Sequence, residues 1–251
     1  MDIKIYKTIH ISNPTLIVGW PGMGNVALGA VDYIRQKMQA EVFAEIDMSR
    51  YVVPDSVTVK DGVAGLPEAP RSLFSYTTSP PLLLFEGEVQ VSGIEGFTVM
   101  SKVLDLAQDL KVKQIFTGAS FPMPVSYRNP SEIYGTVNKE EMWRFLRKYG
   151  IRVMEGGQIS GMNGLLLGYA KTRGMEAACL LATMPLYAIG FPNPKASLAL
   201  VEMFARILEF DIDKREMVIA VQNAEERMSM IEEKVRACLL YTSDAADELD
   251  G

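Results

Sequence analysis

The sequence predicts an α/β fold: a mostly parallel sheet flanked by helices, with a further helix appended towards the C-terminus. Three observations carry the α/β prediction. Short β-branched runs alternate with segments of helical periodicity along most of the chain. Pro81 to Glu86 is a near-continuous apolar run, as in a strand buried on both faces. Glycine-rich turns stand where strand should pass to helix.

The elements follow in order. Thr15 to Trp20 is a β-branched run entering the turn Pro21-Gly22-Met23-Gly24, after which Val26, Ala30, Val31 and Ile34 share one helical face. Glu41 to Ile46 is a second strand and Ser56 to Lys60 a third extended piece. Gly62 to Pro80, rich in Gly, Pro and Ser, reads as surface loop. After the apolar strand, Met100, Val103, Leu104, Ala107 and Leu110 mark a helix, and Gln114 to Thr117 resumes the strand pattern. Phe121 to Tyr134 carries three prolines and reads as an irregular excursion or hairpin. Asn138 and Glu141 form a capping pair for the helix bearing Met142, Trp143 and Leu146, which Gly150 closes. Ile151 to Met154 is a short strand, Gly161-Met-Asn163-Gly164 opens a helix over Leu165 to Thr172, and Ala177 to Thr183 is a buried strand. Asn193-Pro194 then supplies N-cap and first position for the helix Lys195 to Phe210. Residues 1–212 thus read as one α/β domain.

Residues 213–237 show the sharpest periodicity. Met217, Val221, Ala224, Met228, Ile231 and Val235 are spaced 4, 3, 4, 3, 4, a heptad seam. It suits another helix or subunit, or the helix's own domain. Residues 238–251 differ in composition, with four acids and no Lys or Arg, and CLLYTSDAADE resembles the translation of a transposon-based sequencing adapter.

Composition excludes several classes. The chain has 251 residues and a net charge of −6 from 25 Lys plus Arg and 31 Asp plus Glu, with no basic cluster, which argues against an electrostatic nucleic-acid binder. The longest apolar stretches, such as Leu82 to Phe85 and Ala177 to Ala182, fall far short of the ~20 residues of a membrane span. The first residues lack a signal-peptide apolar region. Two cysteines, Cys179 and Cys238, make neither a disulfide scaffold nor a zinc site, and a reducing cytoplasm is the simplest compartment.

The candidates for chemistry are few. Gly22-Met23-Gly24-Asn25-Val26-Ala27 fits G-x-G-x-x-A after the first strand, with Asp47 twenty residues beyond Ala27 to hold a ribose. Any tight strand-to-helix turn uses such glycines, and the inserted Trp20-Pro21 and the lack of a catalytic half favour that structural reading over NAD. Glu86 and Glu88, flanking Gly87 at a strand end, are of a type that holds a metal or shares a proton, and equally of solvated loop acids. Asn163 and Ser160 read as helix caps. His10, the only histidine, and Cys179, in an apolar strand, read as structural. No metal, cofactor or catalytic residue is predicted.

Gly19-Trp20-Pro21-Gly22-Met23-Gly24, Leu82 to Gly87, Gly118-Ala119, Gly161-Met-Asn163-Gly164-Leu-Leu-Leu-Gly168, and Thr183-Met-Pro185 leading to Asn193-Pro194 together resemble the PAC2 family, the proteasome assembly chaperone 2 proteins and their archaeal and bacterial relatives. The resemblance covers most of residues 12–212. It implies a fold similar to nucleoside-phosphorylase-like proteins, self-association and, for archaeal members, binding to proteasome α subunits partly through a hydrophobic-Tyr-X C-terminus. The chain given ends Leu249-Asp250-Gly251, and Leu240-Tyr241-Thr242 carries that chemistry internally. The expectation is a non-enzymatic, homo-oligomeric assembly chaperone that buries the methionine-bearing seam against partner subunits. A nucleotide- or small-molecule-binding enzyme using Gly22 to Ala27 is the rival.

Overall fold

The computed structural model describes residues 2–49 and 51–230. In chain order come β1 (Ile3–Ile5), β2 (Thr15–Gly19), α1 (Val26–Lys37), β3 (Glu41–Ile46), β4 (Thr58–Lys60), β5 (Val63–Gly65), β6 (Ser72–Thr78) and β7 (Pro81–Gly87). They are followed by α2 (Gly93–Asp109), β8 (Gln114–Met123), β9 (Ile133–Val137), α3 (Met142–Leu146), β10 (Arg152–Val153), α4 (Met162–Thr172), β11 (Ala177–Pro185) and α5 (Pro194–Leu208). A last helix, α6, is described over residues 215–230.

Nine strands form one sheet in the order β1-β3-β6-β7-β2-β8-β11-β9-β10, and β4 and β5 pair apart from it. The central strands β7, β2, β8 and β11 are parallel, with Ile17 of β2 opposite both Leu84 and Phe116. Their apolar runs fill both sheet faces. Ile17, Leu84 and Phe116 point into the layer under α1 and α5, whereas Leu16, Val18, Leu83 and Phe85 point into the layer under α2 and α4. The α/β class holds.

The parallel arrangement holds in part, for the central strands and β9–β10, whereas β1, β3 and β6 pair antiparallel, as does β9 with β11, so the sheet is mixed. The reason is connection length. Only Ser79 and Pro80 separate β6 from β7, too few residues for a crossover, and β3 then pairs antiparallel with β6. The stretch read as loop from Gly62 to Pro80 thus contains β5 and β6. Leu73, Phe74 and Ser75 of β6 are buried, and Phe74 packs on Phe85 with ring centroids 4.7 Å apart. Turn residues at both ends of that stretch mask a strand that is fully internal. Likewise β8 runs on to Met123, and Ile133 and Tyr134 begin β9.

Two local readings hold and one changes. Asn193 caps α5, its Oδ1 accepting from the Ala196 N–H at 2.9 Å, with Pro194 in the first turn. Asn138, expected to cap α3, instead ties β9 to α4 and β11. Its Nδ2 donates to the carbonyls of Leu167 and Met175, and its Oδ1 accepts from the Ala177 N–H at 2.9 Å. A cap would satisfy one donor, whereas this position satisfies three backbone groups through partly buried hydrogen bonds.

The helix that carries the seam folds back. Met217 and Met228 are buried in the core cluster under α1 and α5, and Val221 and Ala224 are half-buried between them. Ion pairs Lys37–Glu216 at 2.6 Å and Lys195–Glu225 at 2.7 Å join it to α1 and α5. The seam as a docking surface is therefore corrected over Met217, Val221, Ala224 and Met228: a 4, 3, 4 stripe suits any apolar surface, and α5 with its neighbouring loops supplies one at no cost in lost translational freedom. Ile231 and Val235, and the adapter-like tail, lie outside the described residues.

Candidate functional site

The glycine turn follows β2, and hydrogen bonds to the backbone of Trp20, Pro21, Gly22 and Gly24 hold it. Asn163, buried at the start of α4, clasps Trp20: Oδ1 accepts from the Trp20 N–H at 3.0 Å and Nδ2 donates to the Trp20 carbonyl at 3.0 Å. The Asn163 carbonyl accepts from Thr117 Oγ1 at 2.8 Å. Gln90 reaches in from the segment before α2, its Nε2 donating to the Pro21 carbonyl and its Oε1 accepting from the Met162 N–H. The side-chain amides of two residues thus complete the backbone pairing of a strand end that no neighbouring strand reaches. Asn163 is neither a helix cap nor a free ligand group, and the reading of it as a cap is corrected.

The turn itself docks on the loop before α5. The Gly24 N–H donates to the Ile189 carbonyl at 3.3 Å, and the Asn193 N–H donates to the Gly24 carbonyl at 2.8 Å. Gly24 has φ +66°, and a Cβ there would stand 3.0 Å from Met184 Sδ, so both its conformation and its surroundings select glycine. Gly22 is extended, at φ −167°, with open space where a Cβ would lie. Asn25 takes a left-handed conformation, φ 50°, directly before α1.

This geometry disfavours the dinucleotide reading. The amide that should face a pyrophosphate is hydrogen-bonded to Ile189. The acid that should face the ribose is remote: Asp47 follows β3, and β6 and β7 stand between β3 and β2, a separation of roughly 14 Å across the sheet. Asp47 instead accepts from the Ser49 N–H at 2.9 Å. Sequence spacing put Asp47 at the right count of residues, but sheet order put it on the wrong strand.

Glu86 and Glu88 do not form a pair. Glu88 is exposed and accepts from the Arg71 N–H at 2.8 Å. Glu86 is buried, with Oε2 at 2.5 Å from Arg35 Nε of α1. Burial pushes its carboxyl up to about 7, with Asp32 adding to the rise and Arg35 opposing it. Because the folded-state pKa lies above the ordinary 4.5, the folded protein holds this proton more tightly than the unfolded chain. The resulting stabilisation is full below about pH 4.5 and is lost as pH rises through about 7. Urea unfolding of Glu86→Gln should accordingly lack a decline that the native chain shows between pH 5 and 7.5, on the order of 3 kcal/mol at most. Parallel pH profiles for the two proteins would contradict this assignment. Cys179 is buried, which pushes its thiol up to about 12, and His10 is exposed. Among the described residues no three His, Cys, Asp or Glu side chains group as metal ligands.

A crevice of ≈350 Å³ lies between the glycine turn, β8 and the segment before α4; Met23, Gln90, Phe121, Gln158, Ile159 and Asn163 are among its walls, and none of its lining residues is ionisable. A wider cleft of ≈850 Å³ lies beside β9, β10 and the end of α5, where Arg152–Glu132 and Lys214–Glu202 form ion pairs. Beside the glycine turn, Met23 and, from the loop after β11, Leu186, Ile189 and Phe191 are about half exposed. The hydrogen bonds that dock turn on loop hold this apolar rim in place. Sequence reasoning missed it, although Leu186, Ile189 and Phe191 are legible as apolar residues in a loop.

Fold and site together define a helix-flanked mixed α/β protein whose glycine turn is docked on the loop before α5 and whose neighbouring crevice has no ionisable residue in its lining. The chain belongs to the PAC2 family, whose model matches residues 16–235. It is similar to the uncharacterized protein MJ1210 of Methanocaldococcus jannaschii, 26% identical over 217 residues, which span 85% of this chain and 81% of that one. Among solved structures it resembles Pyrococcus furiosus PbaB, described as an archaeal proteasome activator, with TM-score 0.76, 27% identity and coverage of 94% and 98% of the two chains. It shares its fold with PbaA of the same organism, described as an archaeal homolog of proteasome-assembly chaperone, with TM-score 0.73, 16% identity and 98% of each chain covered.

Proposed function

We propose that the protein is a non-enzymatic, homo-oligomeric assembly-chaperone-like protein of the cytoplasm that binds proteasome α subunits. One observation carries the reading: the rim of Met23, Leu186, Ile189 and Phe191 presents large apolar side chains on a hydrogen-bonded frame, at the strand ends where an enzyme of this architecture would place ionisable groups. Preformed apolar surface suits protein docking, since little order is lost on binding. The names carried by PbaB and PbaA support the proteasome as the partner system. Among the described residues no helix is long and apolar enough to cross a membrane.

The test is capture of purified proteasome α subunits by the tagged chain. Binding is expected with the native rim, and a fall of about tenfold or more in affinity with Ile189→Asp and Phe191→Asp together. Equal capture by both proteins would move the docking surface elsewhere, and no capture by either would remove the proteasome assignment. A thermal shift with NAD or nucleosides addresses the rival: a ligand at ~100 times its dissociation constant adds about 2.7 kcal/mol, and such a shift, abolished by Gly24→Val, would favour a binding enzyme.

A further inference from the structure

The excursion between β3 and β6 contains an amphipathic hairpin outside the main sheet. The β4–β5 register pairs Thr58 with Gly65, Val59 with Ala64 and Lys60 with Val63. Side chains alternate across a strand, so Val59 and Ala64 share one face, and continuing the register by one residue adds Val57 and Leu66 to it. The opposite face carries Thr58, Lys60, Val63 and Gly65. Val57 is 57% exposed, Val59 64% and Leu66 77%, so the apolar face lies uncovered.

A two-stranded hairpin is marginal in water unless a third element covers it. Here the main sheet does not, because β4 and β5 pair only with each other. Contiguous exposed aliphatic residues of this kind mark a contact surface. The cover must be present whenever the protein is folded, which a transient client is not and another copy of the same chain is. The size also fits: residues 51–71 are nearly all exposed and match one side of a standard interface of roughly 20–30 residues. A second copy further offers an apolar acceptor, since Ile94 and Phe97 of α2 and Leu165 of α4 stand exposed on the adjoining helix pair. We infer that the β4–β5 hairpin is an oligomerisation arm whose Val57, Val59, Ala64 and Leu66 face packs on a second copy of this chain. The inference rests on the homo-oligomeric part of the function proposed above.

Light scattering after size exclusion tests it on the full chain. The native protein should elute at a multiple of 27.8 kDa. Val59→Asp with Leu66→Asp should fall to the mass of one chain with an unchanged melting temperature, and Thr58→Asp, on the opposite face, should keep the native mass. Should the aspartates unfold the chain, Val59→Ser with Leu66→Ser carries the same test, with self-association weakened about tenfold or more. A native mass retained by the arm variants overturns the arm and leaves homo-oligomerisation standing. A native protein that is one chain in mass overturns both. Arm variants that stay oligomeric but lose purified α subunits assign the face to the client, and so overturn the arm as well.

Discussion

Replacing Asn163 by leucine is expected to lower the unfolding free energy by roughly 2–6 kcal/mol, about 1–3 for each of the two Trp20 backbone groups it orphans. Trp20 is fully buried, and its N–H and carbonyl find their partners in the Asn163 amide. Leucine matches the volume but offers neither donor nor acceptor. The loss is large against a domain stability of about 5–15 kcal/mol. Urea unfolding measures it directly. Ser160→Ala at the neighbouring position should change stability by less than about 0.5 kcal/mol, because Ser160 is exposed. A change for Asn163→Leu as small as that of Ser160→Ala would mean that water replaces the clasp.

Gly19→Val should cost about 3 kcal/mol or more, and Gly19→Ala should already be severe. A Cβ at Gly19 would stand 2.8 Å from the Ala27 carbonyl oxygen and 2.9 Å from Val31 Cγ2. The first of these is helix backbone, which cannot swing aside, so α1 as a whole must lift from the sheet. On the adjacent strand, Gly118 leaves room for Ala27 Cα and Cβ at 3.2 Å, with Leu200 Cδ1 nearer at 2.7 Å. Leu200 can change rotamer, so Gly118→Ala should be the milder of the two alanine variants. Calorimetric melting of both proteins checks that order, and a reversed order would show that α1 yields more readily than Leu200. The third small residue of the G-x-G-x-x-A pattern thereby acquires its meaning: Ala27 seats α1 in a notch made by Gly19 and Gly118.

That notch explains how the sequence can carry a dinucleotide-like fingerprint without the site. The pattern encodes close helix-to-sheet packing, which many strand-to-helix turns need, and only the surroundings of Gly24 distinguish a phosphate cradle from a docked turn. Those surroundings come from residues 184–193, far along the chain. Asn163 was visible as a polar residue in a glycine-rich turn, but nothing local says that its partner is Trp20. The apolar face of the β4–β5 hairpin was hidden in the same way, because Ala64 and Leu66 fall in a stretch whose glycines and prolines read as loop.

The sequence alone determined the buried strands β2, β7 and β11, the amphipathic helices, the capped start of α5 and the family resemblance, because each is written in neighbouring residues as periodicity, turn chemistry or motif order. Tertiary structure alone decided that β6 separates β3 from β7, that Asp47 stands away from the glycine turn and that the methionines of α6 lie against their own domain. Periodicity specifies which side of an element is apolar. Which surface comes to cover that side depends on pairings between distant segments, and their free energies appear only once the chain has closed on itself.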